Sequence, residues 1–208
     1  MLVKICGITR AEDAAAAVEA GAQALGFVFW QKSPRYIDPF AARAIVSTLP
    51  PFVTPVGVFV DQPVDFVNGV TSLVRLGAVQ LHGGESLEYA KNLDAPVVKA
   101  IGLRDEAMSA IDIWPARVRV LLDVHDPVRR GGTGKKIDWN AAAAVARRRP
   151  VLLAGGITPA NVAEAVARVQ PVGIDVSSGV EASPGVKDSA KITALFEALH
   201  GTQPATRS

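Results

Sequence analysis

The stretch Leu2–Thr9, LVKICGIT, decides the fold of this chain, because it has the form of a buried strand that breaks at Gly7. Alternate side chains of a strand share a face, so Lys4 and Cys6 point to one side of the sheet and the residues between them to the other. Cys6 is the one cysteine in the chain, and it lies where the strand ends. A lone cysteine is more often a small buried apolar residue than a reactive one, so its role depends on what the rest of the chain builds around it.

One pattern recurs along the chain: a short apolar run, a turn or capping signal, and a segment with helical spacing. In the first unit a capping box is predicted at residues 9–12, and the helix is expected to end at Gly21. In the second unit Asp38 is the expected N-cap, with Pro39 at the first helical position. The predicted strands and helices, in pairs, are residues 2–8 and 9–20, 25–30 and 40–49, 55–60 and 64–76, 78–82 and 86–93, 96–103 and 105–114, 117–124 and 138–148, 150–157 and 158–169, and 173–180 and 188–200.

Eight such units in 208 residues amount to about 26 residues per unit. Strands that alternate with helices are parallel, and eight is the number of units that closes into a barrel. We therefore predict an α/β fold, a single compact (β/α)8 TIM barrel over residues 1–200, followed by a frayed tail at residues 201–208. The alternative is a doubly wound open sheet, which needs no particular number of units.

The composition, with 49% hydrophobic and 20% charged residues, is that of a globular domain. The formal net charge is +2 and most basic residues are scattered, so we expect no nucleic-acid partner. A single cysteine allows no internal disulfide, which fits a reducing compartment. The sequence shows neither a charged and apolar leader nor an apolar run of about 18 residues, so we expect a cytoplasmic protein without a membrane partner.

Polar residues interrupt the predicted inward faces of four strands, near the barrel end that carries the active site in this architecture. These residues are Lys4 and Cys6, Gln80 and His82, Arg119 and Asp123, and Asp175 and Ser177. One interpretation is a neutralised buried ionic layer without a chemical task, formed by Lys4, Lys99, Arg119 and Asp175. Cys6 and Asp123 fit that interpretation less well, because they are a potential base and a potential acid at the same end of the barrel.

Three consecutive strand ends are rich in glycine and serine, at Gly131–Gly134, Ala154–Ile157 and Val176–Gly179. Exposed backbone N–H groups and helix N-termini favour an anion there, and the loops after strands seven and eight commonly bind phosphate in such barrels. No Walker or Rossmann fingerprint accompanies them, so we expect a phosphorylated small molecule and not a nucleotide. The predicted phosphate-binding residues are Gly132, Gly134, Gly155, Gly156, Ser177, Ser178 and Gly179.

Seven motifs follow one another along the chain: KICGIT at 4–9, GFVF at 26–29 leading to SPRY at 33–36, QLHG at 80–83, LLD at 121–123, GGTG at 131–134 with DW at 138–139, AGGI at 154–157 and DVSSGVE at 175–181. Together they resemble the phosphoribosylanthranilate isomerase family of tryptophan biosynthesis, from residue 2 to about residue 200. A single motif is weak, but the ordered set is highly specific. Ile137, where an aromatic residue often precedes Asp138 and Trp139, departs from the pattern beside the chemistry and affects only local packing.

The resemblance implies an isomerase that converts N-(5'-phosphoribosyl)anthranilate to 1-(2-carboxyphenylamino)-1-deoxyribulose 5-phosphate by an Amadori rearrangement. It implies that Cys6 is the general base, that Asp123 is the general acid, and that the loops rich in glycine and serine bind the phosphate. We expect neither a metal nor an organic cofactor. A free thiol titrates near pH ~8.5 and a free aspartic acid near pH ~3.9, so we expect cationic neighbours such as Lys4 to lower the pKa of Cys6 and an apolar mouth to raise that of Asp123.

Arg35, His82 and Asp175 are assigned to binding the substrate, a small phosphosugar. Arg35 follows Pro34 in the loop after the second strand and can form a two-pronged pair with the carboxylate of the anthranilate ring, unless it is a solvated loop arginine. For His82 a hydrogen-bonded structural role is the alternative. We expect a monomer or a weak homodimer.

Two other functions remain open at this point. Histidine-pathway sugar isomerases perform the same chemistry on a similar barrel, but they use a pair of carboxylates, and this chain has Cys6 at the first of those positions. A phosphosugar-binding barrel without catalysis, acting as a sensor or scaffold, is the second alternative.

Overall fold

The eight predicted strands form one closed barrel in which all neighbours are parallel and the last strand pairs with the first. The computed structural model describes residues 1–103, 111–124 and 137–201. The strands are β1 (Leu2–Cys6), β2 (Ala24–Val28), β3 (Thr54–Phe59), β4 (Ala78–Leu81), β5 (Val97–Gly102), β6 (Arg119–Asp123), β7 (Val151–Leu153) and β8 (Gly173–Val176). The predicted TIM barrel is confirmed, and the open doubly wound sheet is excluded.

Helices follow the strands on the outside of the barrel. Within the described ranges they are α1 (Ala11–Ala20), α2 (Pro39–Val46), α3 (Val64–Val74), α4 (Leu87–Ala90), α5 (Trp139–Ala146), α6 (Val162–Val169) and α7 (Ser189–His200). The helix predicted at residues 105–114 lies mostly outside the described residues, as does the predicted tail after Gly201. None of the helices in the described ranges is long and apolar enough to cross a membrane.

Two predicted helix starts had different outcomes. The Asp38 carboxylate accepts hydrogen bonds from the backbone N–H groups at the start of α2, and Pro39 is the first helical residue, as predicted. The capping box at the start of α1 is wrong, because the Thr9 hydroxyl donates to the Gly185 carbonyl and does not cap the helix. That helix does end at Gly21, whose φ of 110° suits glycine.

The strands separate two apolar regions. The larger one lies between the sheet and the helices and includes fully buried side chains such as Ile5, Leu25 and Leu122. Burial of each such side chain stabilises the fold by about 1.5–3 kcal/mol. Smaller clusters fill the barrel interior, one around Cys6 and one around Leu121. The alternation predicted for β1 is therefore confirmed, since Cys6 faces the interior.

The four-residue ionic layer does not form. Lys4 and Asp175 do pair in the interior, with 2.9 Å between Nζ and Oδ1. Lys99 faces the helices instead, where it pairs with Glu85 at 2.8 Å. Arg119 is exposed at the first position of β6. The prediction placed Lys99 on the inward face, but Val98 and Ala100 occupy that face of β5.

A short antiparallel hairpin, absent from the prediction, follows β8. It consists of β9 (Glu181–Ser183) and β10 (Val186–Lys187). Side chains near β1 hold it in place, because Gly185 accepts the Thr9 hydroxyl and the Lys187 backbone N–H donates to Asp13 at 3.0 Å. The hairpin thereby brings Glu181 to the end of the barrel that carries Cys6.

Candidate active site

Cys6 lies at the carboxyl end of β1 and is 8% exposed. Its register partner on β2 is Gly26. A Cβ atom at Gly26 would come within 2.6 Å of the Cys6 sulfur and 3.0 Å of Lys4 Nζ. The missing side chain on β2 thus makes room for the thiol and the ammonium group side by side.

Burial dominates the titration of Cys6. It raises the pKa of the thiol above its ordinary value, and the Asp175 carboxylate raises it further, whereas Lys4 and Lys187 lower it without cancelling the effect of burial. Burial alone would lower the pKa of Lys4, but Asp175 and Cys6 outweigh it and raise that pKa. The expected lowering of the Cys6 pKa is therefore wrong for the free protein, which holds a thiol and not a thiolate at neutral pH.

Asp123 ends β6 and is 7% exposed. Its Oδ1 accepts the backbone N–H of Val124 at 2.7 Å, and its Oδ2 lies 3.3 Å from Nε2 of His82. Gly155 packs beside it with a φ of 83°, and a Cβ there would lie 2.8 Å from the Val124 side chain. Only glycine fits this close approach of β7 to the carboxylate.

His82 follows β4 and contacts two polar groups. Its Nε2 faces Asp123, and its Nδ1 lies 3.0 Å from the side-chain nitrogen of Gln80. Gln80 points into the barrel and is 1% exposed. The structure therefore brings His82 into direct contact with the predicted acid, and Gln80 joins the site as the second ring partner of His82.

Arg35 is buried and paired, so the solvated-loop interpretation is wrong. Its guanidinium donates to both carboxylate oxygens of Glu181, at 2.8 and 2.7 Å. The stem of Arg35 lies against Gly7, where an added Cβ would come within 2.6 Å of Arg35 Cδ. Burial would lower the pKa of Arg35, but the pair with Glu181 outweighs it and raises that pKa.

Glu181 and Lys187 complete this ion cluster. Burial would raise the pKa of Glu181, yet Arg35 and Lys187 together hold it below its ordinary value. Lys187 Nζ donates to Glu181 at 2.9 Å and to the Cys6 carbonyl at 2.6 Å, and burial lowers its pKa. Sequence reasoning missed both residues as members of the site, although Glu181 is the last residue of the DVSSGVE motif.

Two of the three predicted phosphate loops meet at the same end of the barrel. Gly155 and Gly156 follow β7 with φ values of 83° and 70°, and Gly179 packs so tightly on the carbonyl of Ile157 that a side chain has no room. The buried Ser177 hydroxyl has no hydrogen-bond partner among the described residues. Of the remaining predicted phosphate ligands, Ser178 lies in the described loop after β8, in the 3-10 helix Ser178–Val180. Gly132 and Gly134 lie outside the described residues.

Strand order decides which groups face one another. β1 and β6 are separated by β7 and β8, so Cys6 and Asp123 lie on different sides of the barrel mouth, with the two described glycine- and serine-rich loops between them. Asp175 lies on β8 beside Lys4. Within the described ranges no group of three His, Cys, Asp or Glu side chains is placed to hold a metal ion.

Comparisons with known proteins agree with one another. Residues 3–198 match the family model described as N-(5'phosphoribosyl)anthranilate (PRA) isomerase. A curated relative from Geotalea uraniireducens (strain Rf4), named N-(5'-phosphoribosyl)anthranilate isomerase, is 48% identical over 201 residues, covering 96% of this chain and 98% of the relative.

Two solved structures extend the similarity to the fold. Phosphoribosyl anthranilate isomerase from Thermus thermophilus matches with a TM-score of 0.89 and 44% identity, over 98% of this chain and 100% of that one. Phosphoribosyl anthranilate isomerase in complex with reduced 1-(o-carboxyphenylamino)-1-deoxyribulose 5-phosphate matches with a TM-score of 0.86 and 42% identity, over 97% of this chain and 100% of that one.

Proposed function

This chain belongs to the N-(5'-phosphoribosyl)anthranilate isomerase family, and we propose that it converts N-(5'-phosphoribosyl)anthranilate to 1-(2-carboxyphenylamino)-1-deoxyribulose 5-phosphate in tryptophan biosynthesis. The observation that carries the proposal is the placement of Cys6 and Asp123 at inward strand ends on different sides of one barrel mouth. An Amadori rearrangement needs a proton donor at one substrate atom and a proton acceptor at another, which that placement supplies.

The first step is ring opening. A protonated Asp123 gives its proton to the ribose ring oxygen, the bond from C1' to that oxygen breaks, and the nitrogen lone pair forms a Schiff base with C1'. Asp123 then becomes a carboxylate that accepts the Val124 N–H at one oxygen, and His82 Nε2 lies 3.3 Å from the other oxygen. These donors stabilise the negative charge at the moment it forms.

The second step moves the double bond. Cys6, as a thiolate, removes the proton from C2', and the electron pair passes into the bond between C1' and C2' to give an enolamine. The enolamine becomes the ketone when C1' gains a proton and the C2' hydroxyl loses one. Lys4, which is placed beside the sulfur by the gap at Gly26, stabilises the thiolate.

The phosphate lies between the two groups. We assign it to the loops after β7 and β8, with Gly155, Gly156, Ser177, Ser178 and Gly179 as ligands, together with Gly132 and Gly134 after β6. Backbone N–H groups and the unpartnered hydroxyl of Ser177 suit an anion there. A phosphate held at this point extends the sugar across the mouth between Cys6 and Asp123.

The remaining substrate contacts fall on Arg35, His82 and Asp175. Arg35 keeps one terminal nitrogen, Nη1, without a partner among the described residues, and this nitrogen is free to bind the anthranilate carboxylate. Asp175 binds Lys4 through Oδ1, which leaves its other oxygen to accept a sugar hydroxyl. A single small phosphosugar is therefore the partner we assign to the site, and the chain is proposed to act as a monomer or weak homodimer in the cytoplasm.

A turnover assay tests the function. Purified protein is supplied with anthranilate and phosphoribosyl pyrophosphate through the preceding transferase, and loss of the fluorescent substrate is followed. We expect enzyme-dependent loss, with inhibition by inorganic phosphate in the wild type and little inhibition after Ser178→Asp. Binding of a reduced product analogue without turnover would make the protein a phosphosugar-binding barrel and overturn the proposal.

A further inference from the structure

Gln80 is a polar side chain in a place that favours an apolar one. It lies on the inward face of β4, paired in register with Val58 and Val98, and is 1% exposed. Its carbonyl oxygen, Oε1, is buried and has no hydrogen-bond partner among the described residues. Burying an amide with one group unpaired costs free energy that a methionine of similar volume would not cost.

The hydrogen bond from the Gln80 side chain to His82 fixes the tautomer of that histidine. An amide nitrogen can only donate, so His82 Nδ1, 3.0 Å from Gln80 Nε2, must be the acceptor and carries no proton. The ring proton is therefore on Nε2, which faces Asp123 Oδ2 at 3.3 Å. Gln80 therefore donates to one side of the His82 ring, and the N–H on the other side of the ring faces Asp123.

This order decides where an additional proton can go. A neutral imidazole beside a carboxylate normally takes up a proton on its free ring nitrogen and becomes an imidazolium. Here that nitrogen is occupied by the N–H of Gln80, so the proton is left to the carboxyl group of Asp123. We propose that Gln80 is a positioning residue that keeps His82 neutral, so that the proton needed for ring opening resides on Asp123.

The other charged groups near Gln80, His82 and Asp123 do not compete for the role proposed for Gln80. On the helix side of β5, Lys99 is paired with Glu85 at 2.8 Å, and its Nζ also donates to the Gly83 carbonyl, next to His82 in sequence. Across the mouth the charged groups also pair with opposite charges: Lys4 with Asp175, and both Arg35 and Lys187 with Glu181.

The inference rests on the proposed function, because it explains how Asp123 can serve as the acid of that reaction. No further reactant is needed: the carboxyl proton goes to the ring oxygen, and the resulting carboxylate accepts the Val124 N–H and faces His82 Nε2. Gln80 touches neither substrate nor reacting atoms and acts through His82.

Nitrogen NMR of the unliganded protein tests the tautomer directly. The chain has 3 histidines, so the His82 signals are assigned by comparison with His82→Gln. We expect Nδ1 without a proton and Nε2 with one across the pH range of turnover. A proton on Nδ1 of the wild type would overturn the inference even if the enzyme turns over its substrate.

Two variants of similar volume test the consequence for turnover. Gln80→Glu places an acceptor against Nδ1 and favours the imidazolium, so kcat should fall roughly ten- to a hundredfold, while inhibition by inorganic phosphate stays within about twofold. Gln80→Met removes the donor without adding an acceptor and should lower kcat less, roughly three- to tenfold. Thr71→Val, which removes a buried hydroxyl on α3 far from the site, is the control and should leave kcat unchanged.

The outcomes separate the two claims. If the wild type turns over its substrate and Gln80→Glu does so equally well with a neutral His82, the positioning role is wrong. If the two Gln80 variants lose activity equally, in line with a common loss of thermal stability, Gln80 has a packing role and the inference is also overturned. A wild type with the expected tautomer but no turnover overturns the proposed function, and the role of Gln80 in it.

Discussion

The ionisable groups on the two sides of the barrel mouth have opposite surroundings. On the β1 side, burial keeps Cys6 protonated by raising the pKa of its thiol, against the influence of Lys4. On the β6 side, the Val124 backbone N–H donates to one oxygen of Asp123, and Nε2 of His82 lies 3.3 Å from the other. The free protein therefore holds a thiol at Cys6, whereas the proposed reaction starts from a thiolate at Cys6 and a carboxylic acid at Asp123.

The comparison shows that the proposed mechanism depends on where one proton lies. A thiol with a carboxylate and a thiolate with a carboxylic acid contain the same single proton, and the proposed reactive form is the second of these arrangements. Lys4 stabilises this form at Cys6, and Gln80 favours it at Asp123 by occupying the ring nitrogen of His82 that would otherwise take up the proton. Each side can be altered separately to test this account.

Removing the thiol gives the largest effect. Without a base at C2', Cys6→Ala should lose roughly two to four orders of magnitude in kcat, the range for a removed general base. Cys6→Ser should be nearly as poor, because a hydroxyl is much harder to ionise. Steady-state assays at saturating substrate measure the loss, and turnover like that of the wild type would return Cys6 to a packing role.

Removing the carboxyl proton of Asp123, on the β6 side of the mouth, should also abolish most turnover. Asp123→Asn keeps the shape of the side chain but cannot donate a carboxyl proton, so kcat should fall by roughly 10²–10⁴ while affinity for a reduced product analogue is kept. Titration calorimetry with that analogue is the control. Equal losses in binding and turnover would make Asp123 a binding residue and leave the β6 side without an acid.

Arg35 sharpens the comparison, because it tests substrate recognition separately from proton transfer. Arg35→Met should cost about 2–4 kcal/mol in kcat/KM, in the range for breaking a partly desolvated charge pair. Arg35→Lys should recover only part, since an ammonium lacks the planar fork of the guanidinium. The control is a substrate analogue built on aniline, which lacks the carboxylate: wild type should handle it poorly and Arg35→Met no worse. Equal damage with both substrates would mean that Arg35 shapes its loop through Glu181.

The smallest effect is the dependence on pH. Since the proposed reactive form contains one proton between Cys6 and Asp123, kcat/KM should be level across neutral pH and fall on the alkaline side, where Cys6 loses its proton and none is left for Asp123. Initial rates over the stable pH range check this. A steady rise through the alkaline range would instead indicate that only the thiol needs to ionise.

Much of the fold was predictable from local signals. Alternating strands and helices, the Asp38 cap and the break at Gly21 are short-range features, and the count of eight units gave the closed barrel. The hairpin after β8 was missed because its strands are two and three residues long and carry no apolar alternation. The side of the sheet that Lys99 faces was predicted wrongly, because the neighbouring strands in the barrel determine which residues of β5 point inward.

The site was predictable in its residue types but not in its electrostatics. Cys6, Asp123 and His82 come together as expected at one end of the barrel. The pair of Arg35 with Glu181 joins residues 146 positions apart, and no local pattern in the sequence indicates it. The direction of the Cys6 pKa depends on burial outweighing a nearby lysine, which only the packed structure reveals.

Titration of the single thiol tests the account most directly. The absorbance of the thiolate, taken as the difference between wild type and Cys6→Ala, is measured against pH in the unliganded protein, where Cys6 is the only cysteine. The account predicts a midpoint above the ordinary thiol value of about 8.5, because burial disfavours the charged form. A midpoint well below that value would mean that Lys4 outweighs burial and that the resting site already holds a thiolate, which contradicts the account of the β1 side of the mouth.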